Sequence, residues 1–311
     1  MDLRSKRLWT GILLDSFIIA VWLLAGCNQT QTSLPNSVVD TSEPAETAEI
    51  VTPLTPTATL VPMAATVNGE GIPLAFYEAE EVRYKLAMDS IGEIVPPNDE
   101  MQDIILKELI DQTLLAQAAN VAGFIVTEEL LQQRIETLAT DMGGQEALDQ
   151  WMSTQGYNQV DFEAAMRLAI ASAWQRDAII ANVPEAVEQV HARQIFAYTS
   201  EGAQKAMTSL ISGTDFDELA WTYSPVTGGE LAWFPRGYLT VPAVEEVAFS
   251  LAVGEYSQII ESELGYHIVL VLEKDAERPL TTDAKLTLQR QALAQWIQTQ
   301  REQAIIEISL P

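Results

Sequence analysis

The chain has 311 residues, 48% of them hydrophobic, and its 44 acidic against 17 basic residues give a formal net charge of −27. This acidity argues against duplex DNA or RNA as a partner, since that binding depends on basic side chains neutralising phosphates, and against a basic membrane-binding surface. With one cysteine and two histidines, the chain cannot form an intrachain disulfide or a Cys₄ or Cys₂His₂ zinc site, which excludes disulfide redox and such zinc chemistry. We expect neither a metal nor a cofactor.

Residues 1–26 are predicted to be a secretory signal, because a basic start precedes an apolar run that reaches Ala25. Asp15 interrupts this run and argues against a permanent transmembrane helix. The run ends in Leu-Ala-Gly-Cys, which resembles the bacterial lipobox, where cleavage precedes the cysteine and the cysteine carries lipid. The alternative is a retained helix with an incidental cysteine. Lipidation of Cys27 would anchor the chain to a bacterial membrane on its extracytoplasmic side.

The lipidated cysteine and a linker occupy residues 27–65. Between residues 28 and 65 there are five prolines and eight threonines, with no aromatic residue, lysine or arginine. This composition is typical of a solvated, semi-rigid spacer.

Residues 66–187 are predicted to form a mostly helical domain. An Asn68-Gly69 turn indicates a small hairpin over 66–74, and beyond residue 74 the apolar periodicity is helical. The predicted helices cover 76–88, 101–121, 128–139 (capped by Thr127), 147–154 and 161–181. A last helix over 282–307, in a C-terminal segment 276–311, is amphipathic, so we expect it to dock on these N-terminal helices.

Residues 188–275 show a different pattern of short strands, short helices and turns. Strands are predicted over 189–198 and 267–272, and short helices over 201–211, 216–222 and 244–249. Ser200 and Asp215 are the expected helix caps, and Gly228-Gly229 is an expected turn. This segment is therefore predicted to be a small α+β domain.

Six segments of this domain resemble the parvulin (PpiC-type) peptidyl-prolyl isomerases, in the family's order and near its spacing. They are VHARQI (190–195), GTDFDELAWTYS (213–224), GGELAWFPRG (228–237), VEEVAFSL (244–251), VGEYSQII (253–260) and LGYHIVLVLE (264–273). The wider layout is similar to the PrsA- and SurA-like foldases. The resemblance implies an α+β fold: a small antiparallel parvulin sheet with surrounding helices, plus a mostly α-helical SurA-like chaperone domain.

The resemblance also implies the site residues. On the polar side these are His267 and Ser262, with Gln194 at the position of the family's other histidine. The residues implied in substrate binding are Leu231, Phe234, Leu239 (or Thr240 for that position), Val244 and Phe249. His191 lies three residues before Gln194, on the opposite face of a strand, and is not expected to replace the family histidine. For His267, a structural and a catalytic function remain open.

Three departures from the family bear on turnover. Gln194 cannot titrate, the loop over 223–231 lacks several residues including the family's acidic or cysteine position, and Val244 replaces a pocket phenylalanine. The resemblance implies a membrane-anchored prolyl isomerase that chaperones exported unfolded polypeptides. The alternative is a catalytically weak or inactive, parvulin-derived holdase that only binds chain segments. A solute-binding lipoprotein fits the parvulin segments badly.

Overall fold

The computed structural model describes residues 61–310. The predicted signal (1–26), Cys27 and most of the linker lie outside the described residues. Of the described residues, 61–174 and 303–310 form one compact unit and Gln175–Glu302 forms the other. We call them the helical unit and the sheet unit.

The helical unit begins with the predicted hairpin. Strand β1 (Met63–Val67) pairs antiparallel with β2 (Glu70–Pro73). At the turn, Asn68 and Gly69 have φ of 53° and 83°, the left-handed conformation that two-residue hairpin turns require. The hairpin prediction is therefore confirmed. Strand β7 (Ile306–Ile308) adds to the other edge of β1, a pairing that the sequence analysis did not foresee.

Five helices follow the hairpin: α1 (Leu74–Ser90), α2 (Asn98–Val121), α3 (Glu128–Asp141), α4 (Gln145–Thr154) and α5 (Gln159–Ala181). All five were predicted to within a few residues. Thr127 caps α3 as expected, since its side chain accepts the N–H of Leu130. Across the described part of the chain, 61–310, the helices are all too short or too polar to cross a membrane.

The sheet unit contains a four-stranded antiparallel sheet in the order β4-β3-β6-β5. The strands are β3 (Ala186–Ala197), β4 (Glu230–Pro235), β5 (Ile260–Ser262) and β6 (Gly265–Pro279). Around them lie α6 (Ser200–Ile211), α7 (Phe216–Tyr223) and α8 (Pro242–Ser250). Together with the helical unit, this arrangement confirms the predicted α+β fold.

The two faces of this sheet bury different side chains, because neighbouring residues of a strand point to opposite faces. One face packs Val190 and Val269 against Val244 and Phe249 of α8. The other face packs side chains of β3 and β6 against α6 and α7. Asp215 caps α7 as predicted, whereas the side chain that caps α6 is Thr199 rather than Ser200.

The last helix, α9 (Thr282–Gln303), is expected from the sequence to dock on the N-terminal helices, and this docking stays a prediction. It belongs to the sheet unit, where Lys285 forms an ion pair with Glu185 and Asp283 accepts the hydroxyl of Tyr238. Ala284 is the only buried residue that α9 contributes within the described chain. Its apolar face is therefore a weak guide to its partner, and polar contacts fix its position.

Candidate functional site

Three polar side chains form a hydrogen-bonded row across β3, β6 and β5. Gln194 Oε1 lies 2.9 Å from Nδ1 of His267, and the Oγ of Ser262 lies 2.8 Å from Nε2 of the same ring. Because Phe196 is the residue that pairs with His267, the Gln194 contact is a diagonal between neighbouring strands. The structure thus brings together the three polar residues that the sequence analysis singled out. We call them the polar row.

The His267 ring is buried, at 4% exposure, and both of its nitrogens have partners. Desolvation lowers the pKa of His267 below its ordinary value of 6.5. A neutral ring fits the two contacts, because Nδ1–H donates to the Gln194 carbonyl oxygen while Nε2 accepts the Ser262 hydroxyl. This geometry suits a residue that holds three strands together and orients its neighbours.

We expect the NMR titration midpoint of His267 to lie below 6.5. Just below pH 6.5 the unfolded chain then binds more protons at His267 than the folded chain does. The contribution of His267 to the free energy of unfolding is therefore fully present above pH 6.5 and is lost as the pH falls. With two histidines in the chain, the variant His191→Gln assigns the two ring resonances. A midpoint for His267 at or above 6.5 would contradict the buried neutral ring.

Gln194 stands at the position of the parvulin histidine and still hydrogen-bonds across the strands to His267. The polar row therefore survives the first of the three departures from the parvulin pattern. The shortened loop is closed by Gly228 and Gly229, which adopt φ of 59° and 69°. The Gly229 carbonyl accepts the N–H of Gln194 at 2.8 Å, so the short loop itself holds the backbone of the polar row.

The five predicted substrate-binding residues share one apolar cluster, on the face of the sheet that packs against α8. Leu231 and Leu239 are partly buried at its edge and can meet a ligand. Phe249 is 6% exposed, and the guanidinium of Arg236 lies 4.0 Å from its ring centre. Phe234 and Val244 are 0% and 2% exposed, so in this conformation they support the cluster from beneath. This differs from the substrate contact expected for them.

The pocket loop, residues 236–241, carries Leu239 between β4 and α8. One carboxylate organises it, since Glu245 accepts the backbone N–H groups of Gly237, Tyr238 and Leu239 at 2.6, 2.9 and 2.9 Å. Hydrogen bonds to an ionised acceptor are stronger than neutral ones. The sequence analysis missed Glu245, although an acidic residue in the first turn of a helix that follows a loop signals such a function.

His191, as expected, lies apart from the polar row. Its ring nitrogens contact the carboxylates of Glu230 (2.6 Å) and Glu273 (3.3 Å), and its ring stacks on Trp233. No group of three or more histidine, cysteine or acidic side chains arranged to hold a metal occurs between residues 61 and 310.

The helical unit contains a cavity of about 180 Å³, which we call the helical-unit cavity. Six of its lining residues are large and apolar or aromatic: Phe76, Tyr84, Trp151, Tyr157, Phe162 and Met166. Arg83 also lines it, 8% exposed, with its guanidinium 4.0 Å from the ring centre of Tyr157 and paired to Glu80. Its buried Nε–H has no hydrogen-bond partner among residues 61–310. The helical periodicity of this segment gave no sign of the cavity.

Two family models match the chain. Residues 175–273 match the PPIC-type PPIase domain, and residues 51–174 match the SurA-like N-terminal domain. The boundary between the two matches coincides with the division between the helical and sheet units. α9 lies outside both matches.

Among curated relatives, the foldase protein PrsA of Halalkalibacterium halodurans is 28% identical over 213 residues, covering 61% of this chain and 63% of that protein. The chaperone SurA of Dechloromonas aromatica is 31% identical over 148 residues, covering 40% of this chain and 33% of that protein. The chain thus spans less than two thirds of either relative. A crystal structure of the peptidylprolyl isomerase PrsA from Bacillus cereus aligns with 78% of this chain and 90% of its own, at 22% identity and a TM-score of 0.46.

Proposed function

The chain carries a PPIC-type PPIase domain and a SurA-like N-terminal domain, and from this premise we propose that it is a lipid-anchored extracytoplasmic foldase. Its sheet unit accelerates cis-trans isomerisation of X-Pro bonds, and its helical unit holds unfolded segments of exported polypeptides. The observation that carries the isomerase proposal is the polar row, which keeps its hydrogen bonds although one family histidine is Gln194.

Isomerisation makes and breaks no covalent bond, and its obstacle is a torsional barrier of ~18–20 kcal/mol that comes from amide resonance. An apolar site that holds the proline ring and favours the twisted amide lowers this barrier. Leu231 and Leu239 supply partly exposed apolar surface for the ring. His267 is buried and neutral, so its function in this proposal is to position Gln194 and Ser262 on the sheet rather than to transfer a proton.

The isomerase proposal is tested by exchange NMR on a panel of short X-Pro peptides with catalytic amounts of the full chain. We expect acceleration, and about tenfold weaker peptide binding in Leu231→Ala, because truncation removes apolar contact worth about 1–2 kcal/mol. Leu264→Ala is the matched control, since Leu264 is 61% exposed in the same unit and should leave binding unchanged. Equal binding by Leu231→Ala and the parent would remove the pocket assignment.

A binding-only holdase is the second candidate, favoured by the non-titrating Gln194 and by the small Val244 at the pocket position. It predicts peptide binding with no acceleration in the same experiment. The variant Gln194→His shows whether low turnover comes from Gln194 or from the rest of the site. A gain in rate would assign the loss to Gln194, and no gain would assign it to the rest of the site.

The membrane anchor rests on the sequence alone, since Cys27 lies outside the described residues. We expect the parent chain to incorporate labelled palmitate when expressed in bacteria, and Cys27→Ser to lose the label and keep its signal uncut. Normal labelling of Cys27→Ser would refute the lipoprotein assignment.

The chaperone part of the proposal is supported by the helical-unit cavity. A cavity lined with aromatic and aliphatic side chains favours a bulky apolar side chain of an unfolded segment.

A further inference from the structure

The pocket loop is held from two sides. On one side, Glu245 of α8 accepts three consecutive N–H groups of the loop. From α9, the side chain of Gln291 donates to the carbonyl of Gly237, and Asp283 accepts the hydroxyl of Tyr238 at 2.6 Å. The loop therefore has its N–H groups bound by one helix, and a carbonyl and a side chain bound by another.

The fit between α9 and the loop is close at Gly237. This residue has φ of 83°, and a Cβ built on it would overlap the amide of Gln291. Glycine at 237 thus serves both a left-handed turn and the close approach of the α9 side chain. The hydrogen bond to Asp283, and to a lesser extent burial, raises the pKa of Tyr238. The Tyr238 hydroxyl is therefore protonated at neutral pH and can donate to the Asp283 carboxylate.

The N-terminal end of α9 is held by contacts that do not involve the pocket loop. Lys285 pairs with Glu185 at 2.5 Å, and the N–H of Leu280 donates to the carbonyl of Glu185. Gln189 of β3, 1% exposed, donates to the carbonyls of Arg278 and Pro279. These contacts connect the helix to the start of β3, so the Tyr238–Asp283 bond joins the pocket loop to an element that is already anchored.

We propose that α9 is a clamp on the substrate pocket, with Asp283 and Gln291 as positioning residues that fix Leu239 for binding of the proline ring. The proposal rests on the proposed isomerase function. It assigns a function in substrate binding to a helix outside the matched PPIase domain, which ends at residue 273. Asp283 and Gln291 act through the loop and do not touch the substrate.

The test measures KM and kcat for an X-Pro peptide in the full chain carrying Tyr238→Phe or Asp283→Ala. Each variant should raise KM about 2- to 10-fold, the range that one hydrogen bond supports, and leave kcat unchanged. Both remove the same bond, so the double variant should be no worse than either single one. Asp283→Asn keeps an oxygen acceptor and should restore KM close to the parent value.

Lys285→Met is the matched control. It breaks a contact of the same helical turn that does not reach the pocket loop, while the bonds of Gln189 and of the Leu280 N–H still anchor the start of α9. An equal rise of KM in Lys285→Met would show that general docking of α9 matters, and would overturn the clamp. An unchanged KM in both Tyr238→Phe and Asp283→Ala would overturn it as well.

The clamp can be tested even if the chain proves not to be an isomerase. The backbone amide resonance of Leu239 and the Kd for the same peptide, both measured by NMR, report on the loop without turnover. The clamp predicts that Tyr238→Phe shifts the Leu239 resonance and weakens peptide binding, and that Lys285→Met does neither. No acceleration by the parent with these two effects present would reject the isomerase and keep the clamp, whereas acceleration without them would do the reverse.

Discussion

Gly229→Ala is expected to destabilise the sheet unit by roughly 3 kcal/mol or more. Gly229 has φ of 69°, a conformation that costs an L-residue about 1–2 kcal/mol. In addition, a Cβ at this position would overlap the carbonyl group of Gln194. Backbone cannot rotate away as a side-chain end can, so the turn must separate from β3 or the two strands must shift.

The matched control is Gly213→Ala. Gly213 has φ of 92°, and a Cβ built there meets no atom within 4 Å. It should therefore show the conformational cost alone, about 1–2 kcal/mol. The difference between the two variants isolates the close approach of the short loop to β3.

Hydrogen exchange of the β3 and β6 amides, followed by mass spectrometry, measures this effect in the sheet unit alone. A two-unit chain does not have a single free energy of unfolding, so a local probe is needed. We also expect Gly229→Ala to impair peptide binding, because the Gly229 carbonyl holds the N–H of Gln194. Equal exchange in the two variants would show that the turn moves freely away from Gln194.

The polar row could be predicted because the sequence of each strand is enough to identify the side chain that the strand contributes. A parvulin-like Gly-Tyr-His-Ile segment placed His267, and strand alternation together with the family pattern placed Gln194 on the facing strand. Asp215 and Thr127 were predictable for the same reason, since a cap is determined within three residues of the helix start. At the start of α6, Thr199 and Ser200 both carry a hydroxyl that can cap a helix. The predicted cap, Ser200, is therefore one residue after the observed cap, Thr199.

The features that the sequence did not reveal depend on contacts between distant residues. Strand β7 has three residues and pairs with β1 across about 240 positions of the chain; three residues carry too little periodicity to be distinguished from a helix end. The grouping of α9 with the sheet unit was not predicted, because amphipathicity says that a helix must pack and does not say where. Glu245 binds N–H groups whose direction depends on a loop conformation that composition does not encode.

The same limit explains the helical-unit cavity. Helical periodicity identifies which side chains face inward, and it predicts the same pattern whether they close on one another or leave space between them. Here Tyr157 and Phe162 meet edge to face and Trp151 stacks on Tyr157, so the aromatic rings form a wall. Substitution of a residue that lines the cavity tests whether this wall encloses a binding site.

Ala165→Phe is expected to abolish most of the holdase activity of the helical unit and to leave isomerase activity on short peptides unchanged. Ala165 lines the cavity, so a phenylalanine there occupies the space that an apolar client side chain would need. Filling a cavity with an apolar side chain commonly stabilises a fold. We therefore expect the thermal transition of the helical unit to be unchanged or slightly raised in temperature, which separates loss of binding from loss of folding.

The matched control is Ala164→Phe on the neighbouring, exposed position of α5, which should retain the activity of the parent. Suppression of aggregation of heat-denatured citrate synthase measures the holdase activity. Because the chain has seven tryptophans, the fluorescence change that is lost in Trp151→Phe reports occupancy at Trp151, in the cavity wall. Loss of holdase activity in Ala165→Phe alone, with a Trp151 change on client binding in the parent, would assign the cavity. Equal activity in both variants would mean that unfolded segments bind elsewhere than in the helical-unit cavity.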